Sequence, residues 1–421
     1  MTDWLVAARA LREEIMRRFL EPHSRQLVTY SEHFSSGSIP TPDEARSGVP
    51  VSTGYSTGTE DGALRGGALL AAMCDEYDLA PDDGLREQAL RVFSGLQRAQ
   101  YAVPEPGFVP RWVLSDGRTC YSDSSGDQHT ILVYGLWRFC RSALADVDRK
   151  LAAGSIVGSI ITRIRNHGWR ILALGGGDAH AGGGLDRIRL LALLAAAHEI
   201  TGVRQWRELY TEYAATGIEP EIALLLGRGP GTPPWWGFYG PEQFSQLLTM
   251  LVESLRGDTT PFVRMRTEIG RRFLRGPIPT PPHTPEYTDS CRAALGDAVA
   301  IKTPFDALAV FRPELLGIDE DRGWREDYSE WSSGGRLPEA TSYIKWWLGK
   351  RPGICHERNC LISPMVAFHI CLLSGDAGLI EQVSGPIEAY FEHVELTRAN
   401  KLGSLTTAYA TAVAMARIEA A

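Results

Sequence analysis

The sequence predicts an all-α protein, a set of helical hairpins closed into an (α/α)6 toroid, as one domain over residues 1–421. Two observations predict it. Apolar residues recur at helical spacing through most of the chain, with almost no strand-like alternation. The connections also alternate in character. Turns within pairs are short, such as DLAPDDG, ITGV and RGDTTP, whereas those between pairs (103–125, 175–183, 227–240, 276–289) are long and rich in Gly, Pro and aromatics. Stacked hairpins leave that trace, with elaborated binding loops gathered on one face. Each hairpin buries its apolar stripe against its neighbours, so such an array runs this long as one domain. Six hairpins in 421 residues allow roughly 70 residues each. An open α-solenoid is the alternative arrangement.

The elements follow in order. Leu5, Ala8, Leu11 and Ile15 share one face of a first helix. The Gly/Ser/Thr/Pro-rich stretch 35–59 reads as a long loop or strap. Helices are then expected over 59–77 and from after Pro81-Asp82-Asp83 to about 100, over 127–142 and 145–165, over 184–201 and 204–215, and over 241–255 and 261–275. The last are expected over 303–311, 362–373, 376–393 and 405–420. One short β-hairpin is expected where 108–114 meets 119–121 around Asp116-Gly117.

Composition narrows the function. With 44% hydrophobic and 22% charged residues, the chain is of ordinary globular composition. A net charge of −8 without a basic stripe argues against nucleic-acid binding. Charged residues interrupt the N-terminal MTDWLVAARALREEIMRRFL, unlike a signal peptide, and the run 190–197 is too short to span a bilayer. A cytoplasmic protein with no membrane partner is therefore expected. The seven cysteines are odd in number and scattered, which argues against a disulfide framework. Cys355, His356 and Cys360 lack a second ligand pair at zinc spacing, and no dinucleotide or phosphate fingerprint is present. Neither metal nor cofactor is expected. The GYSTG match around Ser56 lacks the strand that a nucleophile elbow needs.

Four constellations could carry chemistry. In TGTEDG, Glu60 and Asp61 stand at a helix start, where Thr59 or Asp61 could simply cap free N–H groups. In YSDSSGDQHT, Asp127 joins Gln128 and His129 at the head of an apolar helix, with Asp123 or Ser124 as its expected cap. Helix dipole and apolar neighbours act in opposite senses on such a carboxyl, as suits a general acid. In LGGGDAHAGGG, six glycines flank Asp178 and His180, forming either a ligand-hugging loop or a plain connection. In PPWWGFYGPEQ, Trp235, Trp236 and Tyr239 either staple the loop or stack on sugar rings.

The segments 59–77 and 121–137 resemble the six-hairpin glycosidases, closest in layout to the unsaturated glucuronyl and rhamnogalacturonyl hydrolases. Asp61, Asp127 and His180 follow that order at intervals of 66 and 53 residues, each near one hairpin. The resemblance covers mainly 55–245 and rests on layout. The residues around Asp127, Ser-Ser-Gly-Asp-Gln-His, depart from the family's usual local sequence. It implies a glycoside hydrolase acting on a small uronate-containing oligosaccharide. Asp127 would protonate the C4=C5 bond of an unsaturated uronate and help water add at C5. Asp61 would position a hydroxyl or tune Asp127. His180 and Arg111 would address hydroxyls or the carboxylate, with Trp235, Trp236 and Tyr239 as the stacking wall; Gln128, His129 and Asp178 are further candidate substrate-binding residues. A conventional hydrolase would instead pair Asp61 with Asp127 across the glycosidic bond. A lyase, isomerase or cyclase using His129 or His180, and a non-catalytic helical scaffold, remain alternatives.

Overall fold

The computed structural model describes residues 2–31, 39–179, 184–218, 220, 240–255, 259–275, 303–317, 323–334 and 340–421. These residues form an all-α protein. The helices are α1 (Trp4–Arg18), α2 (Pro42–Arg46), α3 (Gly62–Leu79), α4 (Asp83–Ala102), α5 (Gly126–Arg141), α6 (Val147–Asn166), α7 (Arg187–Thr201) and α8 (Arg204–Ala214). They continue with α9 (Gly240–Ser254), α10 (Thr260–Arg275), α11 (Trp324–Ser333), α12 (Ala340–Gly349) and α13 (Pro352–Glu357). A π-helical turn (Arg358–Ile362) leads into α14 (Ser363–Ser374), followed by α15 (Ala377–His393) and α16 (Leu402–Glu419). Among the described residues, no helix is long and apolar enough to cross a membrane.

Two kinds of helix differ in sequence and position. Helices α3, α5, α7, α14 and α16 are apolar nearly all round, and α9 is buried from Glu242 to Leu251. A helix of that kind must be enclosed by others. The flanking helices carry a single apolar stripe: α10 buries Phe262, Met265, Ile269 and Phe273, and α8 buries Trp206 alone. Asp3, Asp82, Asp146 and Asp376 accept backbone N–H groups at the starts of α1, α4, α6 and α15.

The enclosed helices touch in sequence: α3 packs on α5, α5 on α7 and α9, α7 on α9, α9 on α14, α14 on α16, and α16 on α3. The flanking helices cover them, with α4 on α3, α6 on α5 and α7, α8 on α7, α10 on α9 and α14, α15 on α14, and α1 on α16. The α3–α5 contact is the closest kind. A Cβ on Gly67 would stand 2.3 Å from Ile131 O, and one on Gly135 would stand 2.3 Å from Gly67 O. Glycine lets the two backbones touch.

A buried network holds the opposite ends of these helices. Arg12 Nε on α1 lies 3.1 Å from Glu76 Oε2 on α3, Tyr409 of α16 donates to the same oxygen, and Arg12 also donates to Gln88 of α4. Trp4 Nε1 donates to Glu419 Oε1 at 2.9 Å, which ties the start of α1 to the end of α16.

Three sequence expectations change. Residues 303–311 do not form one helix but two 3-10 turns, Pro304–Asp306 and Leu308–Val310. Pro313 explains part of this, because a residue before proline avoids helical geometry and Arg312 is extended. The expected β-hairpin at 108–121 reduces to one ladder bond, Leu114 N to Thr119 O at 2.8 Å. The Gln26 amide takes both polar groups of Val113, and Asp116 accepts the N–H groups of Arg118 and Thr119. Side chains thus satisfy the backbone where a partner strand would. The strap 35–59, described from residue 39, contains α2 and is pinned by Tyr121 Oη to Val49 O at 2.6 Å and by Ser56 Oγ to Tyr343 Oη at 2.8 Å.

Candidate active site

The starts of α3, α5, α7 and α16 meet in one region. Gln128, in the first turn of α5, bridges to the start of α3. Its Oε1 accepts from Leu64 N at 2.9 Å, and its Nε2 donates to Glu60 O and to Asp61 Oδ1, each at 3.2 Å. Arg111 adds a second clasp, with Nη1 donating to Glu60 O at 2.8 Å and Nη2 to Ser124 O at 3.1 Å. Gly62 makes this approach possible, since a Cβ there would stand 2.5 Å from Arg111 O.

Asp61 stands at the N-cap position of α3, yet its side chain caps nothing. Its carboxylate lies 3.7 Å from Arg65 and 3.8 Å from Arg111, and 20% of the side chain is exposed. It is therefore available to solvent while held from three sides. Ser125, rather than Asp123 or Ser124, caps α5 by accepting from Gln128 N. Asp127 sits in the first turn of α5, 47% exposed, and meets Arg189 Nη2 of α7 at 3.4 Å. Asp186 holds Arg189 from the other side at 2.6 Å.

Several expected ligands have other surroundings. His129 is fully buried, with its Nδ1 2.9 Å from Ser125 O, and burial pulls its imidazole down to about 3. It is a neutral internal brace and does not reach the open face. Arg111 is buried too, and spends its two Nη groups on backbone carbonyls, so it does not present a fork to a carboxylate. Asp178 closes a tight Gly turn and pairs with Arg170 at 2.5 Å, both half-exposed. His180, Trp235, Trp236 and Tyr239 lie outside the described residues. Cys355 and His356 are both buried, with the thiol 3.4 Å from Leu348 O and Nε2 accepting from Arg312 N at 3.0 Å.

Glu60 is the group that sequence reasoning weighed only as part of a helix start. It is fully buried, and among the described residues neither carboxylate oxygen has a hydrogen-bond partner. Burial, then the neighbouring Asp61 charge, pushes its carboxyl up to about 8. Lys401, at the start of α16, is buried beside it and is drawn down to about 7, first by burial and then by Arg358 and Arg65. Lys401 Nζ lies 5.6 Å from the ring centre of Tyr30, and Arg358 arrives on the π-helical turn. An aromatic cluster of Tyr30, Trp331, Tyr343 and Trp347 flanks these charges, with Tyr55 and Trp346 packed on it. Nothing local in the sequence marks Lys401 or Arg358.

The arrangement gathers the positive ends of several helices, together with Arg65, Arg189 and Lys401, around Glu60, Asp61 and Asp127. Such ends favour anionic groups and orient hydrogen bonds toward them. A surface groove of about 1030 Å³ lies elsewhere, between α4 and the 112–117 turn. Among its described lining residues the one carboxylate, Glu21, accepts the backbone N–H groups of His23 and Ser24. Comparison of the chain with protein-family models and with curated proteins finds no match.

Proposed function

We propose that the chain is a glycoside hydrolase built on an (α/α)6 toroid and acting on a small uronate-containing oligosaccharide. The order of contacts among the enclosed helices supports the toroid, because it returns from α16 to α3. One observation carries the chemistry. The Asp61 carboxylate is freed from capping and held by Gln128, the residue that follows Asp127 in the first turn of α5. In this reading Asp127 transfers the proton and Asp61 orients a sugar hydroxyl. General acid–base transfer by a positioned carboxyl contributes on the order of 10²–10⁴-fold in rate. Arg189, which stands beside Asp127 and is less buried than Arg111, supplies the positive charge that faces the uronate carboxylate.

The test is a substrate screen. Wild type and Asp127→Asn are assayed on unsaturated uronate disaccharides, followed by loss of double-bond absorbance, and on saturated glucuronides, followed by release of reducing sugar. Turnover by wild type with a loss of about 100-fold or more in kcat for Asp127→Asn is expected. No turnover by wild type on either panel, or equal turnover by the variant, removes the mechanism.

A further inference from the structure

A second set of polar side chains lies buried between the enclosed helices. A narrow cavity is walled by Arg65 of α3, Glu242, Gln243 and Gln246 of α9, and Thr406 and Thr407 of α16. Its volume is about 20 Å³, room for one water-sized group. Apolar side chains would fill this space at less cost, since burying a polar group without a partner is unfavourable. Yet Gln243 is 4% exposed and its Oε1 has no hydrogen-bond partner among the described residues. Glu242 has one on its far side: His369 Nδ1 of α14 lies 2.7 Å from Glu242 Oε1, both side chains being more than nine-tenths buried. The carboxylate thus lines the cavity while the imidazole stands behind it. Arg65 links the cavity to Asp61, 3.7 Å away.

We infer that Glu242 is a second acid–base carboxylate of the proposed site, that His369 is its positioning residue, and that the cavity receives one hydroxyl group of the sugar. The inference rests on the carbohydrate reading above. In hydrolysis, Glu242 takes a proton from water as the water oxygen bonds to the anomeric carbon. The bond from that carbon to the departing oxygen breaks, and the departing oxygen takes its proton from Asp127. Gln243 and Gln246 supply amide groups to the hydroxyl that enters the cavity. A carboxylate held by a histidine in this way keeps a fixed orientation, which is what a base facing a bound water requires.

The experiment compares wild type, Glu242→Gln, His369→Gln and Gln243→Leu in turnover of the same uronate panels, with glucuronate binding measured by calorimetry. Glu242→Gln is expected to lower kcat by about 100-fold with KM within roughly threefold, and His369→Gln to lower kcat by about 10-fold and displace the acid limb of the kcat–pH profile. Gln243→Leu leaves the Glu242–His369 pair intact and is expected to weaken glucuronate binding by about 10-fold. It carries the test if Glu242→Gln fails to fold, as judged by helical content. An active wild type whose Glu242→Gln variant keeps kcat and pH profile overturns the role of Glu242 and leaves the carbohydrate reading standing. A Gln243→Leu variant that binds glucuronate like wild type overturns the cavity assignment. A wild type that neither turns over the panels nor binds glucuronate removes the carbohydrate reading, and this inference with it.

Discussion

A single carboxyl group, Glu60, concentrates the unfavourable electrostatics of the site. Its ordinary value is 4.5, and in the folded protein it stands at about 8 because it is buried beside Asp61. The groups that face it include Asp61, Arg111, Lys401, Tyr30, Tyr55, Tyr121 and Tyr343. A raised carboxyl favours the folded state at low pH. Between about pH 4.5 and 8 the unfolded chain has released the proton that the folded chain keeps, so stability falls as pH rises through that window. Lys401 works in the opposite sense: its lowered value makes stability rise with pH between about 7 and 10.5. Glu60→Gln removes the first ramp and retains the second. The variant is therefore expected to gain on wild type as pH rises from 5 to 8, by roughly 1–3 kcal/mol. Thermal melts at pH 5, 6.5 and 8 check this, and a melting difference that does not change with pH rules it out. Asp61 was legible as a helix-start acid, because Thr-Glu-Asp-Gly before an apolar run has few other meanings. That it caps nothing was not legible, since only the Gln128 bridge from another helix fixes its side chain. His129 misled for the opposite reason. Successive helical residues point about 100° apart, so Asp127 and His129 share a sequence motif but not a face.

At the scale of elements, the sequence revealed which helices are enclosed and which flank them. All-round apolar segments such as LLALLAAA can exist only inside, whereas RQWRELYTEYA carries its own solvent face. It concealed α11, α12 and α13, whose aromatic-rich segments lack a clean period and whose partners lie far away in the chain. It also concealed the intimacy of α3 and α5. Gly67 and Gly135 read as weak points of two helices, because glycine costs about 1 kcal/mol against alanine in a helix interior. In place they are contact surfaces, each with room for no Cβ. The two effects oppose one another, and the steric one wins, since backbone carbonyls cannot rotate away as a flexible side chain would. Gly67→Ala and Gly135→Ala are each expected to lose about 1–3 kcal/mol despite their better helix propensity. Denaturant melts followed by helical signal measure it. A stabilised alanine variant at either position would show that the two helices are separable there.

At the scale of the whole molecule, the helix that begins the described chain lies on the one that ends it. Helix α1 packs on α16, and α16 packs on α3. The apolar part of that closure is Trp4, Ala8, Leu11 and Ile15, which periodicity already placed on one face apart from Trp4. The polar part was not legible. Arg12 on the same helix reads as a surface charge, yet it is 1% exposed and meets Glu76 of α3, to which Tyr409 of α16 also donates. Three helices distant in sequence thus share one buried carboxylate. Removing the cation from such a pair strands the anion, which costs about 3–5 kcal/mol, whereas removing both charges can be nearly neutral. Arg12→Met should accordingly lower stability by about 3 kcal/mol, a large part of the roughly 5–15 kcal/mol that holds a typical domain. Adding Glu76→Gln should restore most of the loss, because the amide still accepts from Tyr409 and carries no charge. Denaturant titration of the two single variants and the double variant completes the cycle. A double variant no more stable than Arg12→Met alone would mean that Arg12 closes the structure by packing its aliphatic stem and not by neutralising Glu76.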